Sequence, residues 1–97
     1  MVEHIVLWKC KPEATPAQKD ALMEALLGLK ERCAGITATT VGYNFSERSQ
    51  GYEIGFRATF ESRAALDAYL PSEPHQQVVR EFVAPVSLEV CVVDYEF

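Results

Sequence analysis

The first eleven residues alternate in a way that predicts a strand. Residues 2–11, VEHIVLWKCK, are rich in β-branched and aromatic side chains. His4, Val6, Trp8 and Cys10 share one face, and Glu3, Ile5, Leu7 and Lys9 share the other. Apolar residues on both faces mark a strand covered from two sides. Pro12 ends it, and the apolar period then lengthens. Leu22, Leu26, Leu29 and Cys33 form a helical stripe, widened by Met23 and Leu27, with Lys19, Asp20, Glu24, Lys30, Glu31 and Arg32 opposite. Thr15 suits the N-cap, Pro16 the first helical position, and Gln18 the return arm of a capping box. Gly35 is the natural stop. Gly28 inside the helix costs about 1 kcal/mol relative to Ala, which leads us to expect close packing or a slight bend there.

Residues 36–46 read as a second strand, 47–51 as a polar turn and 52–60 as a third strand, together a hairpin. Tyr52, Ile54, Phe56, Ala58 and Phe60 fall on one face of the third strand, with Glu53, Gly55, Arg57 and Thr59 opposite. Ser62 caps a short helix running to about Leu70, with Ala65, Leu66 and Tyr69 inward. The stretch Pro71-Ser72-Glu73-Pro74 breaks it, and Ser72 starts a further helix over 73–82. Pro85 ends that piece. The last strand covers 86–95, with Val86, Leu88, Val90 and Val92 on one face and Ser87, Glu89, Cys91 and Val93 on the other. The order β-α-β-β-α-β is an α+β, ferredoxin-like arrangement: a four-stranded antiparallel sheet with its helices on one face, in one domain over residues 1–97.

Such helices shelter one face of the sheet only. The other face would leave Ile5, Leu7, Cys91 and Val93 in water. Burying an aliphatic side chain is worth about 1.5–3 kcal/mol, so a second copy placed face to face would be stabilising and would close two sheets into a barrel. The same face carries Glu3, Glu53, Arg57 and Glu89, so in such a homodimer Arg57 must pair with a carboxylate. The competing reading is a monomer whose second face is simply solvated.

Charge narrows the partners. A net charge of −5 and a pI near 4.9 argue against nucleic acid or an anionic membrane as the target. No apolar run approaches the roughly 20 residues that span a bilayer, and residues 1–8 lack a basic leader, which leads us to expect a cytoplasmic protein. Cys10, Cys33 and Cys91 are odd in number and widely spaced, as expected of three unbridged thiols that act as small buried hydrophobes. The two histidines lie 71 positions apart, there is no zinc-type spacing and no Gly-rich phosphate loop, so neither a metal nor a cofactor is expected.

Several short pieces, in order, resemble the stress-responsive A/B barrel (Dabb) family of dimeric α+β barrels. They are His4-Ile5-Val6-Leu7-Trp8-Lys9, Thr15-Pro16-Ala17-Gln18-Lys19, Gly42, Gly51-Tyr52, Thr59-Phe60-Glu61-Ser62, Asp67-Ala68-Tyr69, Pro74-His75 and Val92-Val93-Asp94-Tyr95. The resemblance covers essentially the whole chain. It implies a homodimer with Ile5, Leu7, Arg57, Cys91 and Val93 on the shared face, and a pocket between each sheet and its helices. Some plant members look like stress or defence proteins, and a few members are polyketide cyclases that work without metal or cofactor. In the cyclase type, a Tyr and a His flank the helix break and a second His sits on the first strand. Carried over, these fall on Tyr69, His75 and His4. The family's Tyr-x-x-His-Pro-x-His reads Tyr69-Leu70-Pro71-Ser72-Glu73-Pro74-His75 here, so Ser72 replaces the middle His and the Pro has moved.

On this reading Val6, Trp8, Leu22, Met23, Leu26, Phe56, Val90 and Val92 line a pocket for a small apolar or aromatic compound. His75, in the first turn of its helix, would be held neutral by the helix dipole and so suit a general base. Tyr69 would hold a substrate oxygen, and His4 a polar end of the ligand. A histidine at a helix start is equally an ordinary capping or surface residue. Three functions remain open: a ligand-binding dimer, a cofactor-independent cyclase-like enzyme, and a structural stress-linked dimer without catalysis.

Overall fold

A computed structural model describes residues 1–97. Its elements are β1 (Val2–Cys10), α1 (Pro16–Arg32), β2 (Ile36–Tyr43), β3 (Ile54–Phe60), α2 (Arg63–Tyr69), α3 (Glu73–Val78) and β4 (Ser87–Glu96). A π-helical turn, Val79–Val83, continues α3. The sheet is wholly antiparallel in the order β2-β3-β1-β4, the ferredoxin-like arrangement.

Local chemistry accounts for the starts and stops. Thr15 accepts from the Gln18 amide at 3.1 Å while Gln18 Oε1 accepts from the Thr15 amide at 2.9 Å, a complete capping box. Ser62 caps α2 and Ser72 caps α3. Leu22, Leu26 and Leu29 of α1 are buried against Val6, Trp8, Ile54, Phe56 and Phe60 of the sheet. Gly35 leaves α1 with φ +88°, and a Cβ there would lie 2.6 Å from Ala65 Cβ, so α1 turns into β2 in direct contact with α2.

The structure corrects several expected details. Strand β2 ends at Tyr43 rather than near 46, and β3 begins at Ile54 rather than Tyr52. Tyr52 instead lies beneath the Lys9 ammonium, 5.1 Å from it. Glu53 keeps backbone hydrogen bonds to Trp8 and Asn44, but its side chain turns to Lys19 of α1 at 2.9 Å and so leaves the open face. The helix expected over 73–82 is α-helical only to Val78 and then widens into the π turn. Leu88 is not with Val90 and Val92. The register shifts between Lys9 and Cys10, so that Cys10 pairs with Ser87 and Lys9 with Glu89, and Leu88 is left over, 58% exposed. Gly28 has nothing within 4 Å of its notional Cβ, so close packing is not its role.

On the open face, Ile5 and Leu7 are half-buried, and Cys91 and Val93 are exposed. Glu3, expected on that face as one of the carboxylates available to Arg57, is buried: it accepts from the Thr59 hydroxyl and lies 3.8 Å from the Arg57 guanidinium. Arg57 therefore has its carboxylate within one subunit. Lys9 and Glu89 form a second pair at 3.0 Å.

The two glycines of α1 and its exit predict opposite outcomes. Gly28→Ala should stabilise the fold by about 1 kcal/mol, raising the midpoint of thermal unfolding by about 4–8 °C. Gly35→Ala should lower stability by at least about 1–2 kcal/mol, from its positive φ alone. Calorimetry on the two variants checks both.

Candidate functional site

The helical layer is thinnest over β4. Val90 and Val92 face the helix side, as the cross-strand partners of Trp8 and Val6, yet they are 54% and 50% exposed. Between them and the α2–α3 region lies a cavity of about 420 Å³. Val6, Trp8, Leu26, Phe56, Val78, Val79, Val83, Val90 and Val92 make most of its wall. Leu22 and Met23, expected in that wall, are not part of it. Leu22 is fully buried between α1 and the sheet, and Met23 packs against the core from its edge. A helix covers the sheet with one narrow stripe, and of α1 only Leu26 reaches the cavity.

The polar side chains gather at one end. His4 on β1 is buried, opposite the small Ala58 on β3 and Asp94 on β4. Its Nδ1 lies 2.5 Å from Asp94 Oδ1. Ala58 leaves room for aromatic rings: His4 meets both Phe60 and Tyr69 edge to face at 6.1 Å, and Tyr69 lies 5.0 Å from Phe60. His75 stacks at a tilt on Tyr69, with ring centroids 4.6 Å apart. His4, Tyr69, His75 and Asp94 all border the same cavity.

The helix break sets the Tyr69–His75 geometry. The Ser72 hydroxyl donates to the Tyr69 carbonyl at 2.6 Å and accepts from the His75 amide at 3.5 Å. The His75 ring turns back so that Nδ1 lies 2.7 Å from the Leu70 carbonyl oxygen. That oxygen can only accept, so Nδ1 carries the proton and Nε2 keeps a free lone pair. Burial pushes the His75 pKa below its ordinary 6.5, with the Leu70 hydrogen bond acting against the shift and nearby His4 adding to it. The expected cause was the helix dipole; desolvation is the dominant one, and α3 is only 6 residues long.

Tyr69 is 3% exposed, and burial, aided by the neighbouring Cys33 thiol, pushes its pKa well above the ordinary phenol value. It is a neutral phenol at any ordinary pH. No buried side-chain nitrogen or oxygen in the chain lacks a partner. The Tyr69 hydroxyl and His4 Nε2 make no hydrogen bond within the chain, so neither is fully buried, and both residues border the cavity.

Sequence reasoning missed three contributors: Asp94, the Leu70 carbonyl and the π turn that supplies Val79 and Val83. Asp94 had a signal. It lies two residues beyond Val92, on the face shared by Val90 and Val92, and an acid on an apolar strand face calls for a partner. The carbonyl and the π turn had none, since both are products of backbone geometry. No cluster of His, Cys, Asp and Glu is arranged to hold a metal. No helix is long and apolar enough to cross a membrane.

Comparison with known proteins fits this architecture. The profile of the Stress Responsive A/B Barrel Domain (Dabb) family matches residues 2–97. A solved structure from Arabidopsis thaliana is 26% identical, with a TM-score of 0.91, over 100% of this chain and 95% of that one. A dimeric ferredoxin-like protein of unknown function from Jannaschia sp. CCS1 is 32% identical, with a TM-score of 0.83, over 99% and 98%. A hydroxynitrile lyase from Passiflora edulis shares the fold, at 21% identity and a TM-score of 0.87, over 97% and 90%. Comparison with curated proteins finds no significant match. The chain belongs to the stress-responsive A/B barrel domain family.

Proposed function

We propose that this domain binds a small, largely apolar or aromatic compound between its sheet and its helices, and that it does so as a homodimer in the cytoplasm. One observation carries the reading: an otherwise apolar cavity gathers His4, Asp94, Tyr69 and His75 at one end. Apolar walls provide affinity without direction, and the polar end provides orientation. The dimer is supported by the apolar residues left on the open sheet face and by structural relatives described as dimeric, from Jannaschia, Bacteroides fragilis and Thermobifida fusca. Arg57 enters that interface already paired with Glu3, which lowers the cost of burying it. Free thiols at all three cysteines suit a reducing compartment.

A second reading, proton transfer without metal or cofactor, is favoured by the His75 tautomer. Its Nε2 lone pair, beside a phenol that stays protonated, is a base next to a hydrogen-bond donor. In a cyclase-like reaction Nε2 would take a proton from the carbon next to a ketone. The Tyr69 hydroxyl would donate a hydrogen bond to the enolate oxygen as it forms. Asp94 would orient the His4 ring against the same ligand end.

The binding reading predicts that aromatic probes shift the NMR resonances of Tyr69, His75, Val90 and Val92 and raise the unfolding temperature. A flat response at these four residues would refute it. Sedimentation should give about twice the 10.9 kDa chain mass. Leu7→Glu should reduce it to one chain mass with the secondary structure intact.

The proton-transfer reading predicts that the protein speeds deuterium uptake from solvent into phenylacetone, followed by NMR. His75→Ala should slow it by about 10²–10⁴-fold. With the His75 pKa lowered, the base form persists through neutral pH, so the rate should be flat near pH 7 and fall only below pH 6.5. A rate that instead climbs through pH 7–8 excludes His75 as the base.

A further inference from the structure

The polar end of the cavity also restricts the chemistry of the ligand, an inference that rests on the binding reading above. His75 spends its one N–H on the Leu70 carbonyl and offers the cavity a lone pair. His4 spends Nδ1 on Asp94. The Tyr69 hydroxyl, without a partner in the chain, both donates and accepts. No lysine or arginine lines the cavity, and its one carboxylate belongs to Asp94.

An anionic ligand would be poorly served there. A carboxylate only accepts, so it would face the His75 lone pair without being able to use it. It would also sit near the Asp94 carboxylate in a mostly apolar enclosure, with no lysine or arginine to offset its lost hydration. A hydroxyl group fits both needs: it donates to His75 Nε2 and accepts from Tyr69. The geometry points to a site that selects neutral hydroxylated aromatic compounds, phenols in the simplest case, over the matching carboxylates or ethers. The ring then lies on Val6, Trp8, Val90 and Val92, and the hydroxyl bridges Tyr69 and His75.

Three probes of one shape test this: 4-butylphenol, 4-butylanisole and 4-butylbenzoate, each titrated at pH 7.5 into the intact protein and followed by NMR. The phenol should bind about tenfold tighter than either of the others. His75→Phe should erase the preference for phenol over anisole, whereas His75→Gln, which keeps an acceptor, should retain part of it. Asp94→Asn should narrow the gap between phenol and benzoate without removing that between phenol and anisole. Amide spectra of each variant establish that it is folded. Benzoate binding as tightly as the phenol overturns the charge argument, and anisole binding as tightly overturns the hydroxyl argument. If none of the three binds, the ligand-pocket reading itself fails, and this inference with it.

Discussion

The helical layer is interrupted between Tyr69 and Glu73, and most of what is distinctive in this molecule depends on that interruption. A continuous second helix would run on across the sheet and press an apolar stripe onto β4. The chain instead stops at Tyr69, restarts on the Ser72 cap and widens into a π turn at Val79. Val90 and Val92 are left without a helix above them, and a cavity opens where a packed core would otherwise be. The same interruption creates the chemistry. Only a chain that has just left one helix and entered another can bring the Leu70 carbonyl within reach of the His75 ring while Tyr69 stacks against it.

The cross-strand neighbours complete the site from the other side. His4, Ala58 and Asp94 occupy one row across three strands. The small Ala58 admits the rings, and Asp94 satisfies a histidine that would otherwise be a buried polar group with an unmatched donor. The apolar wall and the polar end thus come from different parts of the fold. The sheet fixes His4 and Asp94 rigidly, and the helix break fixes Tyr69 and His75.

Most of the fold was legible in the sequence because it rests on period and capping. The capping box at Thr15, the stop at Gly35 and the serine caps at 62 and 72 each announce a helix end by local chemistry alone. The strand ends were less legible. Tyr52 and Glu53 continue the β-like pattern of their neighbours, but their competing contacts to Lys9 and Lys19 come from segments far away in the chain. The candidate site was marked in the sequence only where the family resemblance carries over, at His4, Tyr69 and His75, which the fold brings to one end of the cavity. It was not legible where the backbone does the work: a carbonyl selecting a tautomer, or a π turn widening a wall, leaves no mark on side-chain pattern. Leu22 and Met23 show the converse error, since apolar residues on the right helix face need not reach the one place where the layers separate.

The bulge at Leu88 has a consequence for how this strand can change over time. It reverses the parity of β4, so that Ser87 and the run from Glu89 to Glu96 obey different countings of inside and outside. The anchor at Val86 and the acid at Asp94 are therefore phased independently. A lineage that shed the surplus residue would regularise the ladder with Ser87 still opposite Cys10 and Asp94 still opposite His4, whereas loss of a residue at any regular position between Glu89 and Asp94 would turn one part of the strand over.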